Sequence, residues 1–128
     1  MKNVVKVVLI GAALLLAGCT SKPIYNVVEA PIGAAKPNPS MEEISRAIVR
    51  AGAGLGWQMT PNQPGHITGR LALRTHVAVV DINYTPKTYS IKYRDSTNLD
   101  YTGTSIHRNY NGWIQNLDKA IRAQISAL

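Results

Sequence analysis

The chain has 128 residues and a formal net charge of +7, with 45% hydrophobic residues, one cysteine and no phenylalanine. That length carries one small domain rather than two, and a lone cysteine excludes an internal disulfide framework or a Cys-rich metal site. The core must be built from aliphatic residues, six tyrosines and two tryptophans.

At the N-terminus, Lys2 and Lys6 precede an apolar run from Val7 to Leu16, followed by Ala17, Gly18 and Cys19. The run falls short of the roughly 20 apolar residues that a retained membrane helix needs. Leu16-Ala17-Gly18-Cys19 resembles the lipobox of bacterial lipoproteins, Leu-(Ala/Ser/Thr)-(Gly/Ala)-Cys. That resemblance implies removal of residues 1–18, thioether diacylation of Cys19 and a third acyl chain on the new amine. Thr20 and Ser21 follow in place of aspartate, which implies delivery to the periplasmic leaflet of the outer membrane rather than retention at the inner one. Beyond the signal the chain is similar to small periplasmic lipoproteins of α+β build. Cleavage leaves 110 residues with twelve basic and seven acidic side chains, a formal +5. Such a surplus attracts anionic surfaces in a screened, salt-dependent way. Export replaces nucleic acid as the expected partner by an envelope protein or an anionic envelope polymer.

Residues 19–39 read as the lipidated cysteine and a tether rich in proline: Pro23, Pro31, Pro37 and Pro39. Fully extended at about 3.1 Å per residue, this stretch would reach on the order of 60 Å. Within it, Ile24-Tyr25-Asn26-Val27-Val28 is apolar enough to dock as an edge strand instead. Residues 40–128 read as a single α+β domain. Ser40 and Glu43 have capping-box spacing, and Ile44, Ala47, Ile48 and Ala51 give one apolar face, predicting a helix over 41–53. Gly52, Gly54 and Gly56 stop it. Their Gly-x-Gly-x-Gly spacing follows a helix rather than a strand, so it is not a phosphate loop.

A short strand over 56–60 ends at Pro61. From His66 the alternation puts Ile67, Gly69, Leu71 and Leu73 on one side, with Arg70 and Arg74 on the other. A turn near Thr75-His76 returns the chain through Ala78, Val80, Ile82 and Tyr84, and Thr85-Pro86-Lys87 turns it into Tyr89, Ile91 and Tyr93. This predicts an antiparallel meander of three to four strands with one wet face. Thr104 or Ser105 then caps a long helix whose stripe runs Ile106, Tyr110, Trp113, Ile114, Leu117, Ile121, Ile125 and Leu128. Gly112 inside it suggests close approach to the sheet. Both helices are expected on the apolar sheet face.

Arg70, Arg74, Lys92 and Arg94 project from the wet face as a candidate surface for phosphate or carboxylate groups. The same charges also serve a solvated face that resists aggregation. His66, His76 and His107 are dispersed, with no carboxylate at ligand-like spacing, so no metal and no cofactor are expected. No Gly-x-Ser-x-Gly element or free thiol suggests catalysis; Ser96, Asp100 and His107 would have to converge to provide it. The reading is a non-enzymatic, lipid-anchored binding module. The alternative is a small-ligand sensor or carrier with a pocket between the C-terminal helix and the sheet, near Tyr93, Tyr110 and Trp113.

Overall fold

A computed structural model describes residues 20–128. The lipobox-like motif with Cys19, and the stretch 1–18 expected to be removed, lie outside the described residues. The fold is α+β: β1 (Ser21–Pro23), β2 (Val27–Pro31), α1 (Met41–Gly54), β3 (Gln58–Gln63), β4 (His66–Leu73), β5 (His76–Tyr84), β6 (Thr88–Thr97), β7 (Ser105–His107) and α2 (Arg108–Ser126). Five strands form one antiparallel sheet in the order β2-β6-β5-β4-β3, and β1 pairs with β7 in a second, two-stranded sheet. The expected three to four strands are therefore too few. Nor does a helix open the folded body, because β1 and β2 precede α1.

Those two strands correct the tether as well. Most of the proline-rich stretch is docked: Val27, Ala30 and Pro31 of β2 pair with Ile91, Tyr89 and Thr88 of β6. The pairing slips between Val27 and Ala30, where Glu29 takes a positive φ of 48° and donates its N–H to the buried Ser90 hydroxyl (2.9 Å). An edge position tolerates such a bulge, and also tolerates proline. At the opposite edge β3 runs through Pro61 rather than ending there.

Helix α1 begins as its capping box dictates. The Ser40 hydroxyl accepts from Glu43 N–H (3.1 Å), and the Glu43 carboxylate accepts from Ser40 N–H (3.2 Å). The Lys36 ammonium beside Glu43, together with the Ser40 amide, lowers the carboxyl to about 2. At the other end the Leu55 and Gly56 amides bond back to the Gly52 and Ala53 carbonyls, and Gly56 sits at φ 87°. Ile44, Ala47, Ile48 and Ala51 are all buried.

The C-terminal helix starts later than Thr104 or Ser105 would place it. Residues 105–107 are strand, and His107 caps α2 by accepting the Asn109 N–H on Nδ1 (3.1 Å). Its Tyr110, Ile114, Leu117, Ile121 and Ile125 face the core, whereas Trp113 and Leu128 are half-buried. A Cβ at Gly112 would meet open space, so close packing on the sheet is not the reason for that glycine. Close approach of a helix to the sheet occurs at Gly52 of α1 instead, where a Cβ would overlap the Met59 side chain of β3, and within the sheet at Gly69, where a Cβ would lie 3.0 Å from Val80 Cγ2. The two helices pack on each other and join one apolar face of the large sheet in a single core. Its centre is a row across the strands in which Ile82 stands opposite both Ile67 and Ile91, with Val27 beyond Ile91.

Candidate functional site

The opposite sheet face carries the basic side chains, but not as a simple patch. Arg70 lies on β4 opposite Val79, and Lys92 lies on β6 opposite Asp81; both are exposed. Arg74 is not on the strand. It occupies the β4–β5 turn with φ 56°, because the hairpin closes Leu73 on His76 and so turns one residue earlier than expected. Arg94 is the extra residue of a bulge in β6, lying between Tyr93 (opposite Val80) and Asp95 (opposite Val79). The bulge aims its guanidinium back over the face, 3.6 Å from Asp81 Oδ1 and 3.3 Å from Thr68 Oγ1.

Asp81 is the centre of this face. The same Oδ1 is 2.8 Å from His66 Nε2, and the Asn62 amide nitrogen is 3.0 Å from His66 Nδ1 and 2.6 Å from Thr68 Oγ1. An amide NH2 can only donate, so Nδ1 accepts and the ring proton sits on Nε2, directed at Asp81. His66 thus has a carboxylate partner that the sequence reading did not assign. Both its ring nitrogens are engaged, which leaves none to act on a substrate. Among the described residues, Arg70 and Lys92 make no ion pair, while the Arg94 charge is partly offset by Asp81. The face can attract an anion at its margins; its centre is self-neutralised.

A second polar cluster lies between sheet and helix, with Tyr89 and Asp118 buried and Arg122 exposed. The Tyr89 hydroxyl donates to Asp118 Oδ1, Arg122 Nη2 reaches Asp118 Oδ2 (3.1 Å), and Arg122 Nε donates to the Tyr89 oxygen (3.3 Å). Burial, reinforced by the Asp118 carboxylate, pushes the Tyr89 hydroxyl up to about 12. A third cluster fills the place of the proposed ligand pocket. Tyr93 stacks on Tyr101 with centroids 3.9 Å apart and meets the edge of Tyr110 at 5.7 Å. Tyr110 is fully buried, its hydroxyl has no hydrogen-bond partner among the described residues, and burial raises its pKa. Trp113 lies apart from this stack, beside His76. Nor do the residues of a hypothetical catalytic set join: Ser96 Oγ bonds to the Tyr93 hydroxyl (2.7 Å), while His107 Nδ1 caps α2. Among the described residues, no three His, Cys, Asp or Glu side chains converge on a point where a metal could sit.

The feature least visible in the sequence is the strap formed by residues 20–25. Ser21, Lys22 and Pro23 pair with His107, Ile106 and Ser105. The Arg108 N–H donates to the Thr20 carbonyl (2.9 Å), and the Ile24 N–H donates to the Thr104 carbonyl (3.0 Å). Asn111, from the first turn of α2, closes the clasp. Its Nδ2 donates to the Pro23 carbonyl (2.9 Å) and its Oδ1 accepts the Tyr25 N–H (3.0 Å). Beside it an open cleft of about 770 Å³ is lined by Lys22, Ile24, Tyr25, Arg108 and Trp113, among others. Asn111→Ala removes two hydrogen bonds at the surface, each contributing on the order of 1 kcal/mol. The expected result is faster amide exchange at Ile24 and Tyr25, with protection at Ile82 falling by no more than those bonds contribute; exchange measured by NMR checks it.

Among the described residues no helix is long and apolar enough to cross a membrane. No family model, no curated protein and no solved structure matches the chain.

Proposed function

We propose that this protein is a lipid-anchored, non-enzymatic binding module of the bacterial envelope, held through Cys19 at the periplasmic leaflet of the outer membrane. The observation that carries the reading is Leu16-Ala17-Gly18-Cys19, behind a short basic and apolar leader and directly ahead of the folded body at Thr20. A lipobox placed there leaves the whole fold intact after cleavage. The partner is an envelope protein or an anionic envelope polymer, attracted by the exposed Arg70 and Lys92 at the margins of the face, with the turn residue Arg74 beyond them and Arg94 partly offset by Asp81.

Intact-mass measurement on the protein from cells tests the anchor. The expected species lacks residues 1–18 and carries acyl chains on Cys19, whereas Cys19→Ala carries none. An unacylated chain retaining residues 1–18 would overturn the reading. Neutralising Arg70, Lys92 and Arg94 with glutamine tests the binding face. Salt-sensitive binding to envelope fractions should weaken roughly twofold to fivefold per cation, the scale of exposed ion pairs. Unchanged binding removes the face from the proposal.

A further inference from the structure

Thr20 is held at the first residue of α2 by the Arg108 amide, and Cys19 is the residue that precedes it in the chain. A free stretch of some twenty residues would let the body range tens of ångströms from its anchor point. The strap removes that slack. The residue bearing the lipid is covalently next to a backbone clasped by β7 and Asn111.

Resting on the anchored reading above, we infer that the body docks flat on anionic lipid headgroups through the β1/β7 edge and the N-terminal end of α2. Lys22 and Arg108 are its headgroup contacts. Three observations choose a lipid surface as the occupant. Position comes first, because whatever holds Cys19 is within one residue of this edge. Charge is second: Lys22 and Arg108 are exposed and, among the described residues, in no ion pair. Residues 20–28 and 101–117 contain no acidic residue, and Asp100 stands at the border of this end, after Leu99, whose carbonyl accepts the His107 N–H. The positive end of the α2 dipole adds to the same sign. Third, Tyr25 and Trp113 line the adjoining cleft as half-buried aromatics, the residue types favoured at the headgroup level of a bilayer.

The test uses the natural acylated protein in phosphatidylcholine vesicles with and without phosphatidylglycerol. With the Cys19 sulfur occupied by lipid, a cysteine introduced at Asn109 or at Ser126 offers a single thiol for a fluorophore. These positions lie near the two ends of α2, about 26 Å apart at 1.5 Å per residue. Quenching by a headgroup-borne quencher should be several-fold stronger at 109 than at 126, and more so with phosphatidylglycerol. K22Q and R108Q should each lower the docked-to-undocked ratio about fivefold in the anionic vesicles. Equal quenching at both ends, in protein that still floats with the vesicles, overturns the docking and leaves the anchor standing. A contrast indifferent to phosphatidylglycerol overturns the headgroup contacts. Protein that neither carries acyl chains nor floats overturns the anchor and this inference with it.

Discussion

Replacing Ile82 with alanine should lower the free energy of unfolding by about 3 to 4 kcal/mol, more than any other single truncation considered for this fold. Ile82 is fully buried at the centre of β5, the middle strand of the large sheet, with Ile67 and Ile91 opposite it on either side. Truncation removes three carbons from a site walled by two strands that are themselves fixed by their ladders, so the space cannot collapse. The loss of transfer energy and the cost of the residual cavity therefore add. Ile82→Val should cost only about 1 kcal/mol. Val28→Ala, on the exposed side of β2, should stay within about 0.5 kcal/mol. Urea unfolding of the three variants, with unchanged slope, checks the series.

Asp118→Ala ranks next, at about 2 to 3 kcal/mol. The carboxylate accepts from Tyr89 and Arg122, and only the tyrosine is left stranded when it goes. Arg122 is largely exposed and recovers its hydration, so its share is small. The buried hydroxyl loses its acceptor and bears the desolvation penalty. Tyr89→Phe should cost about 1.5 kcal/mol, and the double variant less than the sum, with a coupling of roughly 1 kcal/mol. The pair also sets an alkaline limit. The Tyr89 hydroxyl titrates higher in the folded protein, about 12, than its ordinary 10.0, so its contribution is complete below pH 10 and is lost as pH rises through about 12. Stability measured across that window should fall less steeply in Tyr89→Phe than in the natural chain.

What could be read from the sequence is what is decided locally. The Ser40–Glu43 box and the apolar faces of both helices follow from spacing alone, and the alternation of β4, β5 and β6 follows from period two. Turn position was harder. A turn at Thr75-His76 would set Arg70 opposite Asp81; the observed hairpin closes one residue earlier and sets Thr68 there, which moves His66 within reach of the carboxylate. Arginine at a positive φ is not a residue type that announces a turn, so Arg74 gave no warning. The strap was illegible for a different reason. Ser21-Lys22-Pro23 is exposed throughout and has no apolar periodicity. Its order comes from backbone bonds to β7 and from one asparagine 88 positions beyond Pro23. Asp118 likewise is buried in α2 although it falls outside the apolar stripe that the spacing defines, and the Tyr89 hydroxyl on another element explains its burial.

The pairing of Ser21 with His107 also fixes an order of assembly. A ribosome delivers the first partner long before the second, and a loop of that length is slow to close. The leading end therefore stays without its partner strand until nearly the whole chain has been made. Under the lipid-anchored proposal, the acylation of Cys19 would fall in that interval, before Ser21–Pro23 has its partner strand.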